Sequence, residues 1–230
     1  MKDREKTKDQ LIEALSQSEA KYRSIFENAV EGIFQSTPDS DLIAVNPAMA
    51  RIFGYSSPDE MVADVTNIGH QLYVNSKDRH RFQQLLEKDE VVEGFESQFY
   101  RKDGSALWGS LNVRTVKDSA GNVLFYEGTL EDITARKTAE EDLKKSEEKY
   151  RNIFENALEG IFQITPEGRY LSVNPALARI HGFNSPDEMI HSVTDIAHQL
   201  YVDPSRRAEL KRLTEEKGFV KDFEIMMRRK

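Results

Sequence analysis

Tyr22-Arg23-Ser24-Ile25-Phe26-Glu27-Asn28-Ala29 recurs as Tyr150-Arg151-Asn152-Ile153-Phe154-Glu155-Asn156-Ala157, an offset of 128 residues. Self-similarity at one fixed spacing means one folding unit written twice, and every later assignment depends on recognising it. The offset holds without a gap. Glu31-Gly32-Ile33-Phe34-Gln35 matches Glu159-Gly160-Ile161-Phe162-Gln163, Val45-Asn46-Pro47-Ala48 matches Val173-Asn174-Pro175-Ala176, and His70-Gln71-Leu72-Tyr73-Val74 matches His198-Gln199-Leu200-Tyr201-Val202. Roughly half of the aligned positions are identical. Arg101-Lys102 aligns with Arg229-Lys230, the last residues of the sequence, whereas the first copy continues through Asp103-Gly104 for about thirty more residues.

Outward from the quoted octapeptide, Leu11, Leu15, Ser18, Tyr22, Ile25 and Ala29 fall at alternating spacings of four and three, one stripe along a helix. Leu143, Ser146, Tyr150, Ile153 and Ala157 repeat it. Residues 134–149 hold neither Pro nor Gly, and Glu140 with Lys144 and Glu141 with Lys145 form favourable i,i+4 pairs, so a stiff helix is predicted between the copies. Residues 32–36 and 42–45 read as two short strands around Pro38-Asp39-Ser40-Asp41. Asn46-Pro47 then starts a helix, with a side-chain oxygen at the N-cap, a proline where no amide is needed, and Gly54 where a left-handed residue would end it. Ser57-Pro58-Asp59-Glu60 has capping-box spacing, repeated as Ser185-Pro186-Asp187-Glu188, and 76–88 supplies a longer helix. Residues 92–101, 106–117 and 123–130 are three further strands, joined by Asp103-Gly104 and by Asp118-Ser119-Ala120-Gly121-Asn122.

Two strands, several helices and three strands make an α+β domain: a five-stranded antiparallel sheet with the helices on one face and any cavity between the layers. In the middle of the last three strands, Leu107, Leu111 and Val113 share one face, while Trp108 points to the other with Ser110, Asn112 and Arg114. Ile33, Leu85, Phe95, Phe99, Leu111 and Val113 are the candidate ligand-pocket or core residues. The helix preceding each copy can cover the outer sheet face or pair with its twin. Leu11, Leu15, Tyr22, Ile25, Leu143, Tyr150 and Ile153 are its dimer or connector positions.

Composition removes several function classes. The chain is 38% hydrophobic and 31% charged, values of a soluble globular protein, and its net charge of −8 gives no general attraction to nucleic acid or anionic lipid. No stretch approaches 18 apolar residues and the charged N-terminus has no signal-peptide core, so a cytoplasmic location with no membrane contact within the chain is expected. The absence of cysteine excludes disulfides, thiolate nucleophiles, Cys-based zinc and iron–sulfur sites, and flavin–cysteine photochemistry. Carboxylate pairs such as Asp59-Glu60 and Glu140-Glu141 sit at capping or solvated helical positions away from any nucleophile, so no catalytic residue is assigned. His70 and His198 recur in identical contexts 128 residues apart, which does not make one metal site; a structural hydrogen bond to a loop carbonyl is expected of each, and no metal ligand is assigned.

Asn46-Pro47-Ala48, Gly54-Tyr55-Ser56, Arg101-Lys102-Asp103-Gly104-Ser105 and Glu131-Asp132-Ile133-Thr134-Ala135-Arg136-Lys137, in this element order, resemble tandem PAS sensor domains with their C-terminal PAC motif. The resemblance covers nearly everything from Tyr22 onward. It implies the PAS fold and the input region of a bacterial signalling protein, most often a sensor histidine kinase or a diguanylate cyclase, that homodimerises through helices flanking each core. It also implies that Asp132, Ile133 and Thr134 couple the core to the following helix, with Trp108 as a neighbouring signalling or interface aromatic. His80 lies near where haem-binding members place their proximal histidine, but Ala208 replaces it in the second copy and Asp78-Arg79-His80-Arg81 reads as a polar surface. Haem and flavin are the cofactors the resemblance admits; the residues assign neither, and leave a small-molecule ligand open.

The expected organisation is an N-terminal amphipathic signalling helix over 1–21, a PAS domain with its PAC motif over 22–132, a helical linker over 133–149, and a second PAS domain over 150–230 that lacks its last two strands. The expected function is sensory input and dimerisation, relaying a small-molecule, redox or partner signal through the flanking helices to an output domain outside the chain. The alternative is a ligand-free assembly module acting only in homodimerisation or protein–protein interaction. The chain itself is not expected to be an enzyme. A copy short of two of five strands exposes a strand edge and an open core, so it is expected to be disordered, paired with another chain, or patched by a swapped strand.

Overall fold

The structure is a computed structural model that describes residues 8–230, with side-chain surroundings from Gln10 onward; the first part of the expected N-terminal helix, residues 1–7, lies outside the described residues. The chain divides into two compact units, with the boundary after Glu140.

The first unit begins with helix α1 (Lys8–Asn28), followed by strands β1 (Gly32–Ser36) and β2 (Leu42–Val45). Helices α2 (Pro47–Phe53), α3 (Pro58–Asp64), α4 (Ile68–Gln71) and α5 (Ser76–Asp89) come next, and then strands β3 (Val91–Tyr100), β4 (Ala106–Lys117) and β5 (Val123–Asp132). The sheet is antiparallel with strand order β2-β1-β5-β4-β3, so the N-terminal hairpin and the C-terminal meander meet along β1 and β5. Gly128 of β5 lies opposite Phe34 of β1 and Val113 of β4, where a Cβ would come within 2.2 Å of the Asn112 carbonyl oxygen, so only glycine lets the strands approach this closely.

Local chemistry sets the helix ends. The Asn46 side chain accepts from the Met49 amide at 2.9 Å, Pro47 occupies the first turn, and Gly54 closes α2 in the left-handed region at φ 79°. At α3 the Ser57 hydroxyl accepts from the Glu60 amide as the capping-box spacing predicts. The reciprocal bond differs: the Glu60 carboxylate accepts from the amide and hydroxyl of Ser56, one residue before the cap, and also pairs with Lys102. One face of the sheet packs on α2–α5 through Phe34, Val45, Met49, Phe53, Met61, Phe82, Leu86, Phe95, Phe99, Leu107, Leu111 and Leu130, all buried.

Helix α6 (Thr134–Asn156) starts directly after β5, and the unit boundary falls within it. Positions 22 and 150, taken above as domain starts, lie inside α1 and α6, because the apolar stripe that marked them continues to the helix ends. The second unit then has β6 (Phe162–Ile164), β7 (Tyr170–Val173), α7 (Pro175–His181), α8 (Pro186–Ser192), α9 (Ile196–Gln199) and α10 (Ser205–Lys217). Its sheet has two strands. Residues 219–228, aligned with β3, form no strand among the described residues and keep only the bridge between Tyr201 and Met227, the counterpart of that between Tyr73 and Phe99. In the first copy β3 is held by its ladder with β4.

Two consequences separate. The open core is visible at Phe162, 47% exposed, where its counterpart Phe34 is 8% exposed. Tyr170, Val173, Leu177, Met189, Val193, Ile196, Leu200 and Tyr201 nevertheless form a buried cluster between the β6–β7 hairpin and α7–α9. That part of the core needs no contact from the last two strands.

Candidate functional site

Between the sheet and α2–α5 of the first unit lies a cavity of about 90 Å³. Its walls are mostly apolar, with Phe34, Leu42, Phe53, Phe99, Leu111 and Leu130 among the lining residues. The polar groups come from the N-terminal hairpin and α5: Ser36, and Arg79, Gln83 and Glu87, spaced four apart along one edge of that helix. Tyr73 also lines the cavity, and burial pushes its phenol up to about 12 against the pull of the Arg79 guanidinium, so it stays neutral. Arg79 lies 5.5 Å from the Tyr73 ring centre and 5.8 Å from that of Phe82, and donates from Nη2 to Ser40 Oγ at 2.9 Å. The cavity is well below the roughly 300 Å³ at which sites for drug-sized ligands begin.

At the other end of the sheet, β5 runs into α6 through a linked set of bonds. Thr134 Oγ1 accepts from the Trp108 amide at 2.9 Å, and Asp132 Oδ1 accepts from the Thr134 amide at 2.9 Å. Asp132 Oδ2 pairs with Arg101 at 2.7 Å, and Arg101 Nε donates to the Ile52 carbonyl in α2. Ile133 is buried and its amide donates to the Trp108 carbonyl. In the first turn of α6, Arg136 and Lys137 both pair with Glu96 of β3, at 2.7 and 2.5 Å. Lys137 and Arg136 thereby hold the Glu96 carboxyl below the ordinary carboxylate range. The Lys137 ammonium also lies 5.4 Å from the Trp108 ring centre. This junction joins α6 to three strands and, through Arg101, to a helix beside the cavity.

Two family models, each described as a PAS domain, match residues 30–135 and 148–214. The chain belongs to the PAS domain family, with two PAS domains in tandem. Curated relatives of the pair include sensor histidine kinase TmoS of Ectopseudomonas mendocina, 24% identical over 65% of this chain and 15% of the relative. Sporulation kinase E of Bacillus subtilis is 22% identical over 90% of this chain and 27% of the relative. A probable diguanylate cyclase, DgcE of Escherichia coli, is 23% identical over 55% of this chain and 11% of the relative. The chain thus spans less than a third of the length of these three proteins. Similar solved structures include a domain of a sensory box sensor histidine kinase/response regulator from Geobacter sulfurreducens, 25% identical, covering 51% of this chain and 96% of that one with a TM-score of 0.41. A PAS domain from Colwellia psychrerythraea is 17% identical, covering 51% and 98% with a TM-score of 0.45.

The first PAS domain brings together some of the residues singled out above and disperses others. Phe99, Leu111 and Val113 line the cavity. Phe95 is buried beside it against Phe82, with ring centres 5.2 Å apart, and Leu85 packs on the outside of the core. Ile33 is corrected to the other face: strand alternation turns Phe34 and Ser36 inward, so Ile33 lies in a groove of about 400 Å³ with Tyr22, Ile25 and Phe26 of α1. His80 is exposed, its Nδ1 2.7 Å from the Ser76 carbonyl oxygen one turn back, and it does not line the cavity; α5 presents Arg79 and Gln83 there instead. Asp132, Ile133, Thr134 and Trp108 do converge at one junction. Leu11, Leu15, Tyr22, Ile25, Leu143, Tyr150 and Ile153 are all exposed along α1 and α6.

Apolar spacing does not single out Arg79, Gln83 or Ser36; the signal for Arg79 and Gln83 is the polar stripe of α5 beside Phe82 and Leu86, and Ser36 carries none. His198 also departs from expectation, since its Nδ1 lies 2.7 Å from the Asp195 carboxylate at the cap of its own helix rather than from a loop carbonyl. In the second PAS domain the corresponding hollow is an open trough of about 570 Å³ lined by Phe162, Tyr170, His181, Tyr201 and Arg207, among others. Among the described residues there is no cluster of three or more His, Cys, Asp or Glu placed to hold a metal, and no helix long and apolar enough to cross a membrane.

Proposed function

We propose that this PAS pair is a cytoplasmic sensory input module that passes the state of the first cavity to α6, and through it to an output domain such as a histidine kinase or diguanylate cyclase. The observation that carries this reading is the junction. Asp132, Thr134 and Trp108 bond α6 to β4 and β5, whose residues Leu111, Val113, Tyr126 and Leu130 are cavity wall. A change in cavity occupancy that shifts these strands has a direct path to the first turn of the helix. The chain's own part is regulatory rather than catalytic.

The test uses the 230-residue chain. Leu86→Phe, which adds bulk inside the cavity, is expected to change hydrogen exchange at amides 134–140, and Asp132→Ala with Thr134→Ala is expected to remove that response. An α6 exchange pattern that ignores Leu86→Phe would sink the coupling.

A second reading, homodimerisation through the flanking helices, is favoured by the exposed stripes on α1 and α6, where every apolar position from Leu11 to Ile25 and from Leu143 to Ile153 named above is more than half exposed. Sedimentation equilibrium of the wild-type chain and of Leu143→Glu with Ile153→Glu tests it. A dimer dissociated by the charges is expected, and a wild-type monomer at micromolar concentration would exclude it.

A further inference from the structure

We propose that the first PAS cavity binds a small monocarboxylate, with Arg79 as the carboxylate-binding residue. This deepens the sensory reading above and rests on it.

Four observations converge. Arg79 has no carboxylate partner among the described residues, unlike Arg101, Arg114 and Arg136, each of which is ion-paired. Its sequence neighbour Asp78 is turned away and accepts from the Ser97 hydroxyl at 3.2 Å. A guanidinium is always charged and offers a planar fork of donors suited to two carboxylate oxygens, and Arg79 commits one nitrogen to Ser40 while Tyr73 and Phe82 fix its plane. Arg79 is therefore a positioned cation that is not ion-paired, although Glu87 lines the same cavity.

Second, the cavity has neutral polar groups in waiting. Ser36 lines the cavity from β1 and is 5% exposed. A serine hydroxyl at this wall can donate to a ligand oxygen. The half-buried Gln83 amide stands one turn beyond Arg79 on the same helix, without a side-chain partner among the described residues.

Third, size and charge narrow the class. About 90 Å³ is well below the roughly 300 Å³ at which sites for drug-sized ligands begin, which favours a small molecule. The remaining wall is apolar, fitting a short hydrocarbon end. Glu87, an exposed lining residue, adds one negative charge to the site, so a ligand with one carboxylate is favoured over one with two.

Fourth, the second copy changes the polar neighbours of the cation and keeps the cation with its aromatic partner. Ser36, Ser40 and Gln83 become Ile164, Gly168 and Lys211, whereas Arg79 and Tyr73 remain as Arg207 and Tyr201, and both line the second trough.

The experiment is a chemical-shift titration of the 230-residue chain with acetate, propionate and pyruvate, with acetamide and propanamide as neutral isosteres and succinate as the dianion. Saturable shifts of cavity residues are expected with the monocarboxylates, with at least tenfold weaker binding for the amides and for succinate. Arg79→Gln is expected to weaken monocarboxylate binding at least tenfold and Arg79→Lys by less. The apo spectrum of each variant shows whether it is folded, and Ser36→Ala, a milder change, is expected to weaken binding severalfold. Amides that bind as well as acids, or acid binding indifferent to Arg79→Gln in a folded variant, would overturn the anion claim while leaving a ligand-sensing cavity standing. No saturable shift with any of the six compounds also overturns it. The sensory reading is judged separately by the response of α6 to Leu86→Phe, which uses no ligand.

Discussion

Asn46 is fully buried, and both ends of its side-chain amide are engaged. Oδ1 accepts from the Ile33 and Met49 amides at 2.9 Å, while Nδ2 donates to the Phe26 and Glu31 carbonyls at 3.0 Å, so one residue ties α1, β1 and α2 together. Its counterpart Asn174 bonds the Ile161 and Leu177 amides and the Glu159 carbonyl in the same way. Removing these partners leaves buried backbone groups unpaired, so Asn46→Ala is expected to destabilise the first domain by about 3 kcal/mol in urea denaturation. A loss below about 1 kcal/mol would show that water replaces the amide. Glu60 supplies a pH-dependent case. Hydrogen bonds from Lys102 and then Ser56 lower its carboxyl from the ordinary 4.5 to about 2. Because the folded value is the lower one, this contribution to stability is present above pH 4.5 and is lost as the pH falls toward 2. Carboxyl-detected titration should place the Glu60 midpoint near 2 in the wild type, and Lys102→Met should move it up toward 4.5.

At the scale of elements, the junction between β5 and α6 carries its own reporter, because Trp108 is the single tryptophan of the chain. Its amide is bound by Thr134 and its ring faces the Lys137 ammonium, so Thr134→Ala is expected to red-shift its emission and raise its quenching by acrylamide as the first turn of α6 loosens. Emission unchanged in Thr134→Ala, with α6 amides equally protected, would show that the salt bridges to Glu96 hold the helix start alone. The junction was readable in advance because its residues are contiguous: Asp132 and Thr134 are a capping pair next to a strand end. The cavity was less so. Strand order β2-β1-β5-β4-β3 puts Phe34 and Leu130 on one wall although ninety-six positions separate them, and no local periodicity reports that closure. Ile33 was misassigned because, in a five-residue strand, alternation alone does not say which face is the core. Arg79 was overlooked because a charged helix position reads as solvated until the fold turns it over Tyr73.

At the scale of the whole molecule, the two copies make a controlled comparison of one sequence pattern with and without its sheet partners. Residues 91–100 are laddered to β4, whereas 219–228, at the aligned positions, make two backbone–backbone bonds to the loop before α10: the Val202 amide donates to the Met226 carbonyl and the Arg228 amide to the Leu200 carbonyl. The first copy has the same two bonds, from the Val74 amide to Gln98 and from the Tyr100 amide to Leu72, so the bridge survives without the ladder. Hydrogen exchange should therefore protect amides throughout 91–100 but, within 219–228, chiefly that of Arg228. The stronger test restores the partner. Because the offset of 128 leaves Lys230 aligned with Lys102, residues 103–132 of the first copy can be appended after Lys230 in register. If missing pairing is what leaves 219–228 irregular, the extended chain gains protection along this segment and Phe162 becomes buried as Phe34 is. If 219–228 stays unprotected in a chain whose appended hairpin is itself folded, the cause lies instead in the segment's own substitutions, with Lys221 and Asp222 standing where β3 carries Glu93 and Gly94. Gly94 has a φ of 63° at the bulge of β3, and Asp222 already takes up the same left-handed conformation at 54°, so the backbone of the second copy is set for that bulge and the ladder is expected to form.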